Sequence, residues 1–175
     1  MSIGLVVCVN ESFQIGNSKN NDLLYKISHD MSRFKSVTMG HYVAMGRNTF
    51  YSLPAPLKGR VNVVFSKNHR FKIEDDLLEK YDIIVENDFE KVLNNYKYSG
   101  EQEKDFMIIG GSFLFSEGIH WCDNIYLTMV HDKNHPDGDI YFPKQELSEF
   151  KEAYREKHYD EESGLWYSFI DYVRK

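Results

Sequence analysis

The sequence predicts a single α/β domain over residues 1–175, with a mainly parallel central sheet of about eight strands, flanking helices and a C-terminal antiparallel hairpin. Three observations carry this. Apolar runs and amphipathic segments take turns along the chain, the pattern of crossover connections that winds a parallel sheet. The first run, Ile3-Gly4-Leu5-Val6-Val7-Cys8-Val9, is almost unbroken, as a strand covered on both faces requires. At the other end, two extended segments flank the polar turn Asp160-Glu161-Glu162-Ser163-Gly164, which reads as a hairpin.

After the strand Ile3 to Val9 comes a long polar loop. A helix then spans Ser28 to Thr38, because Met31, Phe34 and Val37 recur on one side, with Ser28 placed to cap it. Tyr42 to Met45 is a second strand, and Asn48 to Leu53 a short helix stopped by Pro54. Val61 to Phe65 is a third strand, the charged stretch from Ser66 to Lys80 a solvated loop or irregular turn, and Asp82 to Val85 a fourth strand. Asp88 opens a helix with Phe89, Val92, Leu93 and Tyr96 on one stripe, ended by Gly100. Phe106 to Ile109 is a fifth strand, running through Gly110-Gly111 into a helix from Ser112 to Glu117. Asn124 to His131 is the sixth, and the hairpin arms lie near Ala153 to Tyr159 and Trp166 to Val173.

A composition of 42% hydrophobic and 15% aromatic residues supports a packed core and excludes a disordered chain. The balance of 21 basic against 27 acidic residues, a net charge of −6, argues against nucleic acid as a partner while allowing a local basic pocket for a small anion. The two cysteines, Cys8 and Cys122, make no disulfide framework and read as buried thiols in a reducing compartment. No apolar stretch reaches the ~20 residues of a membrane span, and the N-terminus lacks the pattern of a signal peptide. The expected setting is the cytoplasm, with no membrane partner.

In open α/β sheets, ligands bind beyond the carboxyl ends of strands. Two junctions there stand out: Met45-Gly46-Arg47-Asn48-Thr49 and Ile109-Gly110-Gly111-Ser112. Glycine lets a phosphate approach the backbone, free N–H groups face it, and Arg47 adds a fixed charge. Singly each is no more than a turn; together they suggest a ligand with two or more phosphates. Neither matches the G-x-G-x-x-G fingerprint nor the phosphate loop of kinases. Asp30, in the first turn of its helix beside Met31 and Phe34, allows two readings. It is a carboxylate favoured by the helix dipole, or one facing an apolar pocket where it could hold an amidine-like heterocycle. No metal constellation and no G-x-S-x-G elbow is read, and Cys8 sits in a setting that makes a poor nucleophile.

Taken in order, these motifs resemble the dihydrofolate reductase family. The resemblance runs from Ile3 to about Pro143 and more loosely through the closing hairpin. It is carried by Ile15-Gly16 opening a long loop, Asp30-Met31-Ser32-Arg33-Phe34-Lys35, Met45-Gly46-Arg47-Asn48-Thr49-Phe50, Leu57-Lys58-Gly59-Arg60-Val61-Asn62, Ile108-Ile109-Gly110-Gly111, Tyr126-Leu127-Thr128 and Gly138-Asp139-Ile140-Tyr141-Phe142-Pro143. It implies NADPH-dependent reduction of dihydrofolate, with hydride delivered to C6 and a proton to N5. Asp30 would then be the single acid of the pterin pocket, backed by Thr128, with Tyr25 as a second catalytic residue. Val6 and Ile109 would accept from the pterin through their carbonyls. Val7, Met31, Phe34, Lys35, Leu53 and Leu57 would complete the substrate side, and Arg60 would pair with the α-carboxylate of the glutamate tail. On the cofactor side, Cys8, Ile15 and Gly16 would hold the nicotinamide carboxamide. Gly46, Arg47, Asn48 and Thr49 would take the phosphates, Ser66 and Lys67 the adenosine 2′-phosphate, and Ile109, Gly110, Gly111, Ser112, Phe113 and Leu114 the pyrophosphate. The two glycines resemble a pair joined by a cis peptide. The segment from Gly16 to Leu24 would close over the nicotinamide, and a member of this size is expected to be a monomer.

The chain departs from the family's usual pattern. Tyr25 stands where Trp is common, Leu24 and Ser28 replace prolines, and Ser112-Phe113 stands where a basic residue often follows the glycines. Rival readings are a pyrimidine reductase of riboflavin synthesis on the same architecture, and a nucleotide-binding module without turnover.

Overall fold

The computed structural model describes residues 1–20, 22–100 and 102–175. The apolar run at the N-terminus forms strand β1 (Ile3–Asn10), with a short β2 (Gln14–Gly16) after a turn. Helix α1 (Ser28–Thr38) leads to β3 (Tyr42–Gly46), α2 (Arg47–Ser52) and β4 (Val61–Phe65). Then follow α3 (Asp75–Lys80), β5 (Ile83–Glu86), α4 (Phe89–Tyr98), β6 (Phe106–Gly110) and α5 (Ser112–Gly118). Strand β7 (Asn124–Val130), a two-residue β8 (Ile140–Tyr141), a 3-10 turn at Lys144–Glu149, and the long pair β9 (Phe150–Asp160) and β10 (Leu165–Arg174) complete the chain.

Eight strands form one sheet in the order β5-β4-β3-β6-β1-β7-β10-β9, and β2 pairs with β8 separately. The contacts from β5 through β7 are parallel, whereas β10 runs antiparallel to both β7 and β9. The expected fold class and strand positions stand, with the hairpin arms longer than the sequence implies.

Three local expectations change. Ser28 is the first residue of α1; Ile27 occupies the cap position, and no side chain bonds the free N–H groups there. The charged stretch after Ser66 is not all loop: Asp75–Lys80 forms α3, and Ile73 is buried against Val43, Met45, Phe50 and Val64. Phe71 and Leu77 pack against the same cluster, so three apolar side chains draw this polar segment onto the sheet. Cys122 is buried, but Cys8 is only partly so, because it faces the side where the apolar packing is interrupted. Asp88 caps α4 as expected, its Oδ1 accepting from the Lys91 N–H at 3.0 Å.

Candidate active site

Strand alternation decides which side chains share a face. On the face that α1 covers, Cys8 of β1 stands opposite Thr128 of β7, and Thr128 opposite Phe169 of β10. Two residues along, Val6, Tyr126 and Asp171 form the next row. Helix α1 lies against these rows. Its Asp30 accepts a hydrogen bond of 2.6 Å from Thr128 Oγ1, and the Cys8 thiol lies beside the same carboxylate. One turn further, the Arg33 guanidinium lies 4.4 Å over the Phe169 ring and pairs with Asp171. His29 Nδ1 is 2.6 Å from the Tyr167 hydroxyl, and its ring meets His158 edge-on at 4.6 Å.

Burial is the strongest influence on Asp30 and pushes its carboxyl above the ordinary carboxylate range; the Thr128 hydrogen bond, then Arg33, His29 and the Cys8 thiol, pull the other way without cancelling it. Burial, reinforced by the Asp30 charge, pushes the Cys8 thiol well up, which keeps it protonated and inert. Asp30 is therefore an acid set on an apolar face, with the Thr128 hydroxyl bonded to it and the Cys8 thiol beside it.

The other wall comes from α2 and the loop after it. Leu53, Leu57 and Ile109 are partly buried against the cluster of Val43, Met45, Phe50 and Val64. Asn62, fully buried, holds that loop: its Oδ1 accepts from the Leu57 N–H at 2.9 Å and its Nδ2 donates to the Leu57 carbonyl at 3.0 Å. Opposite, the expected stripe of α1 is not core. Met31 is exposed, and Phe34 and Val37 are half-buried, so this apolar side of the helix is left available. Val7 points the opposite way into the main core, leaving only its backbone on the site, whereas Val6 shares the face of Cys8.

Arg60 is 8% exposed. It donates from Nε to the Lys58 carbonyl at 3.0 Å and from Nη1 to Thr38 Oγ1 at 3.1 Å. Among the described residues no carboxylate pairs with it, and burial lowers its proton affinity. A buried cation held only by neutral oxygens is suited to an incoming carboxylate. Lys35 is exposed near this end of α1.

The two glycine junctions adjoin. A β-carbon on Gly46 would sit 3.8 Å from the Gly111 nitrogen, and one on Gly111 3.6 Å from Thr49 Oγ1. The Gly110-Gly111 peptide is cis, with Gly110 at φ +123°. Arg47 and Asn48 are exposed at the start of α2, and Ser112 and Phe113 at the start of α5, while Leu114 turns into the core. Beside them opens a cavity of about 560 Å³ that brings together Ser66, Lys67, Phe113 and Leu114 with His69 and Asn87. Lys67 Nζ stands 4.6 Å over the Phe113 ring. Cations beside bare glycine backbone fit an anionic dinucleotide, and this arrangement survives the absence of a basic residue at position 113.

Tyr25 differs from expectation. Its hydroxyl donates to Asp132 Oδ2 at 2.7 Å and accepts from Asn10 Nδ2 at 3.2 Å, so it is already engaged on both sides away from Asp30. It belongs instead to a tether in which buried Gln14 donates to the Gly138 carbonyl at 2.7 Å and accepts from the His135 N–H at 2.8 Å. Ile15 packs against the main core, and Gly16 pairs with Ile140 in the small sheet. In the expected closing segment from Gly16 to Leu24, position 21 lies outside the described residues.

Several members of this site escaped the sequence reading. Arg33 and His29 flank Asp30 on one helix, and a search of i±1 and i+3 neighbours would have found them. His69 and Asn87, 3.0 Å apart across the nucleotide-end cavity, carry no local signal beyond the closeness of His69 to Lys67.

A family model described as dihydrofolate reductase matches residues 2–174. The dihydrofolate reductase of Haemophilus influenzae is 30% identical over 167 residues, covering 91% of this chain and 94% of that protein. That of Bacillus subtilis is 30% identical over 158 residues, covering 90% and 86%. A solved structure of dihydrofolate reductase from Enterococcus faecalis, complexed with NADP(H) and RAB-propyl, superposes with a TM-score of 0.84 at 24% identity, covering 99% of this chain and 96% of that one. With strand order, an acid over the central strands and paired glycine junctions all in place, this chain belongs to the dihydrofolate reductase family.

Proposed function

We propose that this chain, working as a single-domain monomer in the cytoplasm, reduces 7,8-dihydrofolate to 5,6,7,8-tetrahydrofolate with NADPH, and that Asp30 manages the proton. The observation that supports this most directly is the partly buried Asp30 carboxyl, held by Thr128 at 2.6 Å on the face between two apolar walls. Family membership favours this reaction over a pyrimidine reduction, and no feature of the site supports a module without turnover.

NADPH, when bound, supplies the hydride that goes to C6. The chain's own residues bind, orient and exclude water. Asp30 accepts from the pterin's amino group and N3, anchoring the ring. Burial raises its proton affinity above that of an ordinary carboxyl, which favours its handling of the proton that goes toward N5. The carbonyls of Val6 and Ile109 accept from the same ring. Met31 and Phe34 on one side, with Leu53 and Leu57 on the other, sandwich it and exclude solvent. Arg60 takes the α-carboxylate of the tail, with Lys35 adding charge at the rim. Arg47, Asn48, Thr49, Ser112 and the bare backbones of Gly46, Gly110 and Gly111 hold the phosphates. Lys67, steadied by Phe113 and joined by Ser66, would hold the adenosine 2′-phosphate and so favour NADPH over NADH. Backbone groups of Cys8, Ile15 and Gly16 orient the carboxamide, and the Tyr25 tether supports the loop around it.

The test is NADPH oxidation followed by near-ultraviolet absorbance, with and without dihydrofolate. Oxidation should require dihydrofolate and be slower with NADH. Asp30→Asn should lower the hydride-transfer rate near neutral pH by about 10²–10⁴-fold while NADPH still binds. Near-normal turnover in that variant would overturn the role of Asp30.

A further inference from the structure

Arg33 is a permanent cation with little access to water: its side chain is 17% exposed. It is clamped from two sides. Phe169 supports its face at 4.4 Å, and Asp171 pairs with Nη2. The remaining corner, Nη1, is buried and has no hydrogen-bond partner among the described residues. Side chains three apart on a helix stand about 5–6 Å from each other at Cβ, so this guanidinium and the Asp30 carboxyl share one side of α1. Asp30 is bound by Thr128, Arg33 by Phe169, and the register sets Thr128 and Phe169 directly opposite each other. Both charges therefore sit over the same cross-strand pair, close enough for the cation to act on the carboxyl.

We infer that Arg33 and Asp171 are positioning residues for proton transfer: Arg33 is the cation that favours the ionised form of Asp30, and Asp171 holds that cation and partly neutralises it. This rests on the reading of Asp30 as the proton-handling group. Neither residue touches the substrate in this account; each acts through Asp30. The groups facing Asp30 and this pair are His29 on the same helix, Cys8 on β1, Tyr126 and Thr128 on β7, Tyr167 on β10, and His158 beside Glu156 on β9. Tyr154 stands opposite Asp171 and donates to Glu156; against these groups Arg33 is a cation whose charge does not vary with pH in the working range. Burial alone would drive Asp30 further toward its neutral form; Arg33 restrains that drive.

The signs follow. Transfer that needs protonated Asp30 slows as pH rises through the Asp30 midpoint. Removing the cation favours the protonated form, so Arg33→Met should move that midpoint upward by about one pH unit. Asp171→Asn removes the neutralising anion and leaves Arg33 in place, so its midpoint should move downward. Arg33→Lys should return the midpoint toward that of the parent chain. A merely structural role would lower stability in the variants and leave the midpoint alone.

The experiment is single-turnover hydride transfer across pH, starting from the NADPH-bound enzyme, on these variants and on Asp30→Asn. Opposite displacements by Arg33→Met and Asp171→Asn, with NADPH affinity unchanged, support the inference. Unmoved midpoints in both, together with loss of the pH limb in Asp30→Asn, overturn the inference and leave the Asp30 reading intact. Persistence of the limb in Asp30→Asn overturns that reading and the inference with it. If Arg33→Met fails to fold, Asp171→Asn and Arg33→Lys decide the matter.

Discussion

On one face of the central sheet, Leu5, Ile108, Ile125, Leu127 and Ile170 merge with Leu93 and Tyr96 of α4 and Leu114 and Phe115 of α5 into a single buried cluster. On the other face the apolar residues fall into two groups, one around Met45, Phe50 and Val64, the other around Ile27, Val130, Tyr167 and Phe169. The first face carries its helices on a continuous apolar seam, and its polar members are satisfied within it: the Tyr96 hydroxyl donates to the Lys104 carbonyl at 2.6 Å and the Cys122 thiol to the Gly118 carbonyl at 3.2 Å. Between the two groups of the second face lie Asp30, Cys8, Thr128 and the half-buried stripe of α1. Continuity of burial stabilises; interruption leaves room for a ligand with polar edges. The comparison says that the two faces divide stability and chemistry between them, and it can be broken residue by residue.

The largest effect on stability should come from the continuous face. Leu93 is fully buried in α4, so Leu93→Ala should cost about 2–5 kcal/mol and lower Tm, read by calorimetry, while KM for dihydrofolate in the folded fraction stays near that of the parent. A selective loss of substrate binding instead would show that the faces are not separable. On the interrupted face, Arg60→Ala should weaken dihydrofolate binding by about 2 kcal/mol or more, some thirtyfold, measured by titration calorimetry. Pterins without the glutamate tail should be unaffected; equal loss for both kinds of ligand would move Arg60 away from the tail.

The smallest effect sharpens the comparison most, because its sign is opposite. The Asp30 carboxyl is raised by burial, so the folded chain holds its proton at a pH where the unfolded chain has released it. Its contribution is fully present below the unfolded-state value of about 3.9 and is lost as pH rises through the folded value. Ionised Asp30 is thus a net cost near neutral pH, and Asp30→Asn should raise Tm there while the gain vanishes under acid conditions. A Tm unchanged or lowered at neutral pH would mean that Thr128, Arg33 and His29 compensate the buried charge in full.

Legibility in the sequence followed the range of the signal. The helix Ser28–Thr38, the strand Val61–Phe65 and the cap at Asp88 were readable because spacing, β-branched content and capping chemistry act within a few residues. Helix α3 was not, since Asp75–Lys80 is short and charged and is held near the sheet by Phe71, Ile73 and Leu77, which are scattered through a polar stretch. The three-residue β2 and two-residue β8 are too short for any periodicity and exist only through each other. In the site, Asp30 was visible as an acid beside apolar helix positions, and the family resemblance placed Arg60, Thr128 and the glycine junctions. The engagement of Tyr25 by Asp132 and the clamp on Arg33 were invisible, because each joins residues more than a hundred positions apart.

The sequence by itself determined the order and kind of the long elements, the glycine junctions and the family to which the chain belongs. These rest on local propensities and on motifs that keep their order along the chain. Tertiary structure alone decided what stands next to Asp30. The neighbours Cys8, Thr128 and Phe169 come from three strands, β1, β7 and β10, and they meet only because the sheet is ordered β5-β4-β3-β6-β1-β7-β10-β9 in that register. A slip of one residue in any of those strands would turn its side chains to the opposite face, so the proton affinity of Asp30 is a property of strand pairing rather than of the residues around it in sequence.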